Sequence, residues 1–250
     1  MRADVLLVSR GLAPSRTAAQ RLIAAGHVFA REGALRTALS KASVSVADDI
    51  SLEIEASELD RFVSRGGLKL DGALSHIALD VKNRRCLDVG QSTGGFTDCL
   101  LQRGAAHVVG IDVGHDQLHA KIRADSRVTC IEGTNARDLT PASVGAAAAC
   151  FDLIVADVSF ISLTKVLPQW TVLLREGGRV LSLVKPQFEV GAHNLARGGI
   201  VRDESLYATV EKNIRKACGD AGFKVLDYFD SSITGGDGNR EFFVYAKAST

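Results

Sequence analysis

From residue 84 onward, apolar runs alternate with turns and helical patterns at a steady rhythm. RRCLDVG, HVVGIDVG, SRVTCIEG, FDLIVADVSF and GGRVLSLVKPQF read as five strands. GGFTDCLLQRGA opens a helix in a glycine turn, and LHAKIRAD and ISLTKVLPQWTVLLRE carry further helical patterns. Strands separated by helices at this spacing predict a mainly parallel sheet covered on both faces. GFKVLDYFD and REFFVYAKA follow each other across SSITGGDGN with no helix between them, so this last pair is expected to run antiparallel. The predicted class is α/β.

Residues 1–60 have a different grammar. SRTAAQRLIAAGHV starts a helix at Ser15, an N-cap residue type, runs apolar at Ala18, Leu22, Ile23 and Ala25, and closes at Gly26. HVFA, VSV and SLEIE then read as short alternating strands. An arginine-bearing helical pair followed by a small sheet predicts an α+β satellite domain over 1–60, ahead of the α/β domain over 61–250.

Composition and charge alter this picture in one place. The 250 residues are 46% apolar and 24% charged, a globular balance. The net charge of +1 hides an asymmetry, because residues 1–41 hold seven Lys/Arg against two acids while 42–60 hold six acids and no base. A compact basic head on a neutral chain points to polyanions, with Arg10, Arg16 and Arg21 as candidate phosphate contacts. Five scattered cysteines without a C-x-x-C pair argue against a disulfide framework or zinc knuckle. The most apolar stretch, VGAAAACFDLIVADV, is broken by Asp152 and Asp157, and MRADVLLVSRGL is too soon charged for a signal peptide. A cytoplasmic protein without a membrane span is expected.

Candidate chemistry gathers where strands end. The first strand closes in Asp88-Val89-Gly90, followed by Gln91-Ser92-Thr93-Gly94-Gly95-Phe96. No G-K-[ST] follows, which disfavours a nucleoside triphosphate. The broad glycine turn suits a cofactor without a pyrophosphate, and the helix start after it favours a carboxylate. Asp112 ends the next strand, where a carboxylate accepts hydrogen bonds from ribose hydroxyls. Together these features describe an adenosyl ligand with a small anionic tail. Lys69, Asp157, Lys185 and Glu241 stand at a helix start or at strand ends. Two lysines and two carboxylates at one rim form a network able to hold a lysine neutral, so that it takes a proton from a hydroxyl. His115 and His119 share helical spacing but lack a third ligand, so no metal is expected. Trp170 reads as packing rather than as a base-stacking platform.

DVGQSTGGFTD, GIDVGHDQL, EGTNARDL, DLIVADVSFISL, LVKPQFEVG and GNREFF occur in that order. This series closely resembles the TlyA family of bacterial 2′-O-ribose methyltransferases of ribosomal RNA, relatives of the FtsJ-like methyltransferases. RADVLLVSRGLAPSRTAAQRLIAAGHV resembles the S4-type RNA-binding module. The resemblance implies a Rossmann-like methyltransferase fold using S-adenosyl-L-methionine, and a ribosomal RNA or ribosomal-subunit partner for a monomeric enzyme. It implies a tetrad at Lys69, Asp157, Lys185 and Glu241. It places the cofactor against Asp88, Gly90, Ser92, Gly94, Gly95, Phe96 and Asp157, its ribose at Asp112 and its adenine near Asn135. Gln91 stands where the family has a small residue, and the turn AREG departs from the head's usual pattern. The short C-terminal end favours a cytidine ribose in large-subunit RNA over the small subunit. The competing expectations are an assembly factor with a vestigial cofactor pocket and a haemolysin or pore former.

Overall fold

The computed structural model describes residues 1–13, 15–55, 61–145 and 150–249, with only the backbone of Arg21. Two short helices, α1 (Ala3–Ser9) and α2 (Arg16–Ala24), open the chain. Ser15 starts the second, its Oγ accepting from the Ala18 N–H at 3.2 Å. The N–H groups of Gly26 and His27 return to Ile23 and Leu22, which closes it as a Schellman turn. Three strands, β1 (Val28–Glu32), β2 (Leu35–Ala38) and β3 (Ser51–Ile54), form an antiparallel sheet in the order β2-β1-β3. Leu6, Leu7, Ile23 and Val28 are the centre of its core. The run VSV does not form a strand; Ser45 alone makes a bridge, to Arg2.

By their contacts, Met1–Arg61 and Phe62–Thr250 are two compact units. The second begins with α3 (Gly66–His76), followed by β4 (Arg85–Val89), α4 (Gly95–Gln102), β5 (His107–Ile111) and a single turn, α5 (Ala120–Arg123). Next come β6 (Val128–Ile131), β7 (Phe151–Ala156), β8 (Leu174–Val184), α6 (Leu206–Asp220), β9 (Phe223–Asp230) and β10 (Phe242–Ala248). Their order in one sheet is β6-β5-β4-β7-β8-β10-β9. The pairs from β6 to β8 are parallel, and β10 is antiparallel to both of its neighbours. This is the α/β sheet expected, with its final strand inserted between β8 and β9.

Two apolar layers hold the sheet. One contains Leu87, Ile111, Phe151, Val180 and Trp170, and the other Leu70, Leu100, Leu153, Leu181 and Phe243. Each large side chain so buried contributes about 1.5–3 kcal/mol. Trp170 is fully buried, the packing role expected of it. The segment around it is not a helix, however. Leu163–Lys165, Leu167–Gln169 and Thr171–Leu173 are separate 3-10 turns, and β8 has begun by Leu174. Pro168 lacks the N–H a continuous helix would use there, while the apolar spacing still buries Val166, Leu167, Trp170 and Leu173.

Candidate active site

Strand order reverses on either side of β4, where β5 and β7 pair with opposite edges. In such sheets the carboxyl ends of the strands leave a crevice at the reversal. A cavity of about 580 Å³ lies there, lined among others by Gly90, Ser92, Asp112, Asn135, Asp157 and Phe160. It adjoins a smaller one of about 170 Å³ that shares Gly90, Ser92, Asp157 and Ser159 and adds Ser64, Gly95, Phe96 and Lys185.

The floor of the larger cavity is a backbone turn. The Gly90 and Gln91 N–H groups both donate to the Ile111 carbonyl, at 2.9 and 3.0 Å, folding the loop onto β5. Gly90 has φ +82°, and a Cβ on it would stand 2.7 Å from the Asp157 carbonyl oxygen. Only glycine allows the loops after β4 and β7 to approach this closely. Asp112 follows β5; its Oδ2 accepts from the Ser92 N–H at 2.8 Å and its Oδ1 from the Gly114 N–H at 2.7 Å. A carboxylate has about four acceptor positions, so two remain for ribose hydroxyls. Asn135 lines the far wall, its Oδ1 accepting from the Arg137 N–H at 3.0 Å. Gly94 packs against Leu118 instead of facing the space.

Asp88 lies beneath this loop, fully buried. Its Oδ2 accepts from Thr97 Oγ1 at 2.7 Å, and Thr97 Oγ1 in turn accepts from Gln91 Nε2 at 2.9 Å. Its Oδ1 has no hydrogen-bond partner among the described residues. Burial pushes the carboxyl up to about 7 against the Thr97 bond, with the Asp157 and Asp112 charges adding to the rise. Gln91 fits because it folds over Gly110 of β5, where a Cβ would come within 1.9 Å of its Nε2. The long side chain is thereby stowed in the loop's base.

The four rim residues meet as two ion pairs. Lys69 Nζ, from α3, lies 2.5 Å from Glu241 Oε2, and both side chains are buried. Lys185 Nζ, just past β8, lies 2.6 Å from Asp157 Oδ1, just past β7, and donates to Ser159 Oγ at 2.7 Å. Burial raises the Glu241 carboxyl above the usual carboxylate range, and the Lys69 hydrogen bond and charge and the Lys185 charge oppose that rise. The array can hold a hydroxyl between a cation and a proton acceptor. Among the described residues no group of three metal-ligating side chains occurs.

Two residues here escaped the sequence reading. Ser159 is a small polar residue that no motif singles out. Phe160 is 92% exposed, takes φ +63° and lies 5.3 Å from the Phe188 ring. A bulky residue held left-handed and bare to solvent is costly unless it has a use; its only sequence signal was its place three residues after Asp157.

In the head, the candidate arginines are differently employed. Arg10 is occupied internally, donating to the Ile50 carbonyl and, at 2.5 Å, to that of Asp48. Arg16 pairs at 3.2 Å with Asp4, a fully buried carboxylate that also accepts from Arg2 and Gln20. Those bonds, Arg2's foremost, hold Asp4 far below the ordinary carboxylate range. The side chain of Arg21 is outside the described residues.

A parallel sheet with its seventh strand inserted antiparallel, and an acidic seat beside a glycine turn, define a methyltransferase of the Rossmann-like class. The chain belongs to the FtsJ-like methyltransferase family, whose model matches residues 62–248; an S4 domain model matches residues 1–29. It is 43% identical to the 16S/23S rRNA (cytidine-2′-O)-methyltransferase TlyA of Mycobacterium tuberculosis, over all of this chain and 90% of that one. It is 35% identical to the 23S rRNA (cytidine-2′-O)-methyltransferase TlyA of Campylobacter jejuni, over 83% of this chain and 78% of that one. Among solved structures, one described as a hemolysin of Streptococcus thermophilus superposes with TM-score 0.75 at 38% identity, covering 100% of this chain and 88% of that one. An S-adenosylmethionine-dependent methyltransferase of Mesorhizobium loti shares the fold at TM-score 0.52 and 16% identity, over 70% of this chain and 96% of that one. No helix among the described residues is long and apolar enough to cross a membrane.

Proposed function

We propose that this protein transfers a methyl group from S-adenosyl-L-methionine to the 2′-hydroxyl of a cytidine ribose in ribosomal RNA, acting as a cytoplasmic enzyme. The observation that carries the reading is an adenosyl-sized cavity lined by Asp112, Asn135 and Asp157, with Lys185 paired to that Asp157 in the adjoining smaller space. The cavity volume falls in the range of ordinary ligand sites. Asp112 has acceptor positions left for a ribose diol, Asn135 stands on the wall where a base would lie, and the start of α4 suits a carboxylate tail. The cofactor, when bound, supplies an electrophilic methyl group. Everything else falls to the chain. Lys185 takes up the proton of the attacking hydroxyl, while Asp157 and Ser159 orient its Nζ. Lys69, fixed by Glu241, places a second positive charge toward the oxygen as negative charge develops on it. Phe160 offers a ring to the base of the target nucleotide.

The head is the RNA anchor in this reading, supported by its match to the S4 model. Large-subunit RNA is favoured, because the names of both curated relatives include 23S. The test is transfer of labelled methyl from S-adenosyl-L-methionine to purified 50S and 30S subunits lacking the modification. Label in 50S RNA is expected, and no label in either subunit contradicts the reading.

A further inference from the structure

Beyond the tetrad, β8 is followed by a stretch, GAHNLARGGIVRD, that the proposed chemistry leaves without a task. It folds into a small hairpin. Leu195 bridges Val201, the Ala196 N–H donates to the Ile200 carbonyl at 2.7 Å, and the Arg202 N–H donates to that of Asn194 at 3.1 Å. Gly198 and Gly199 turn it with φ +87° and +80°, and nothing lies within 4 Å of where a Cβ on either would stand. The positions where side chains would stand on the two turn glycines are therefore open space.

Asn239 fixes the turn of this hairpin and the start of its returning strand. It is 2% exposed, yet every polar group of its side chain is used. Its Nδ2 donates to the Gly199 carbonyl at 3.0 Å and to Asp237 Oδ2 at 2.9 Å, while its Oδ1 accepts from the Val201 N–H at 3.0 Å. The same loop carries Gly235, where a Cβ would stand 2.8 Å from Glu241 Oε1. One buried amide thus joins the hairpin to the loop that seats the tetrad's glutamate.

Charge gives the hairpin a direction. The acids of these two loops are spent internally. Asp237 accepts from Asn239 and Gln187, Asp203 from the Ser205 N–H, and Glu204 pairs with Arg240. Arg197 and Arg202 are exposed, and among the described residues neither has a carboxylate partner. Two unneutralised guanidinium groups beside a glycine turn each present a planar fork of donors that suits bidentate contact with a backbone phosphate.

We propose that the 194–202 hairpin grips the RNA backbone beside the reacting ribose through Arg197 and Arg202, with Asn239 setting its register to Glu241. This rests on the reading that ribosomal RNA is the substrate. The experiment compares the full-length chain with Arg197→Ala/Arg202→Ala and with Asn239→Ala. It measures binding to protein-free large-subunit rRNA and to 50S subunits at several salt concentrations, with methyl-transfer kinetics and cofactor calorimetry alongside. For the double variant, cofactor affinity stays as it was, KM for RNA rises about tenfold with kcat little changed, and the log–log salt slope becomes shallower by about 1.4–1.8. Asn239→Ala raises KM and also lowers kcat, because Glu241's seat loosens with the hairpin. Should that variant not fold, the two surface arginines still decide the matter. An active wild type with an unchanged slope and KM in the double variant overturns the hairpin's role alone. A defect on 50S subunits with none on protein-free rRNA means the hairpin docks on ribosomal protein, and also overturns it. A wild type that methylates no ribosomal RNA overturns the functional reading itself.

Discussion

Asp88 couples the cofactor loop to pH, and its replacement by Asn separates that coupling from everything else that titrates. The carboxyl is fully buried and lifted from 3.8 to about 7, chiefly by loss of water. Below about pH 4 the group is protonated in both folded and unfolded chains, and its titration takes nothing from stability. Between there and 7 only the folded chain keeps the proton, so stability falls as pH rises; above 7 the loss is complete. A rise of that size is worth about 4 kcal/mol in total, of which about 3 kcal/mol falls between pH 5 and 8. Asn mimics the protonated form and does not titrate. Trp170 is the sole tryptophan and is buried in the second unit, so its fluorescence during urea unfolding reports on that unit. The Asp88→Asn chain is expected to gain about 3 kcal/mol relative to wild type on going from pH 5 to 8. Glu189 and Glu241, which burial also raises, titrate in both chains and cancel. A stability difference that stays constant across this range refutes the argument.

Asp112→Ala removes charge-assisted bonds worth about 1.5–3 kcal/mol each, so cofactor affinity measured by calorimetry should fall about tenfold or more in a folded chain. Unchanged affinity would dissociate Asp112 from the cofactor's ribose. Lys185→Arg keeps the positive charge beside Asp157 but has no neutral form at working pH. Single-turnover transfer should drop by about 10²–10⁴ with cofactor binding retained, and wild-type turnover would remove Lys185 from the base role. Replacing Arg16 and Arg21 together by Ala should make the salt dependence of subunit binding shallower by roughly one per lost phosphate contact. An unaltered slope would leave the head without a phosphate role at these positions.

The sheet was legible because strands covered on both faces must be apolar almost throughout, and the polar residue that ends each run marks the rim. Asp112, Asp157 and Lys185 are placed by that rule alone. Lys69 and Glu241 were singled out only as a helix start and a strand start, since their meeting with the other pair depends on α3 and on β10 entering the sheet antiparallel; the family resemblance joined them into a tetrad. Elsewhere local pattern misled. The apolar spacing of ISLTKVLPQWTVLLRE is served equally by 3-10 turns packed on the core. LHAKIRAD shrinks to one turn, α5. Helix α6 went unread because it buries only Val210, Ile214 and Cys218, a stripe too thin to stand out among its charges. Strand β2 is exposed at every position and has no burial pattern to detect. Arg10 illustrates a further limit: a sequence shows charge, but not whether carbonyls have already claimed it.

The tetrad's assignment to a ribose hydroxyl makes a direct chemical claim about the product. Large-subunit RNA methylated by the enzyme, digested to nucleosides and separated by mass spectrometry, shows where the methyl group resides. The expected labelled nucleoside is 2′-O-methylcytidine, absent when Lys185→Arg replaces the wild type. Label on a base, with the ribose unmodified, would contradict it.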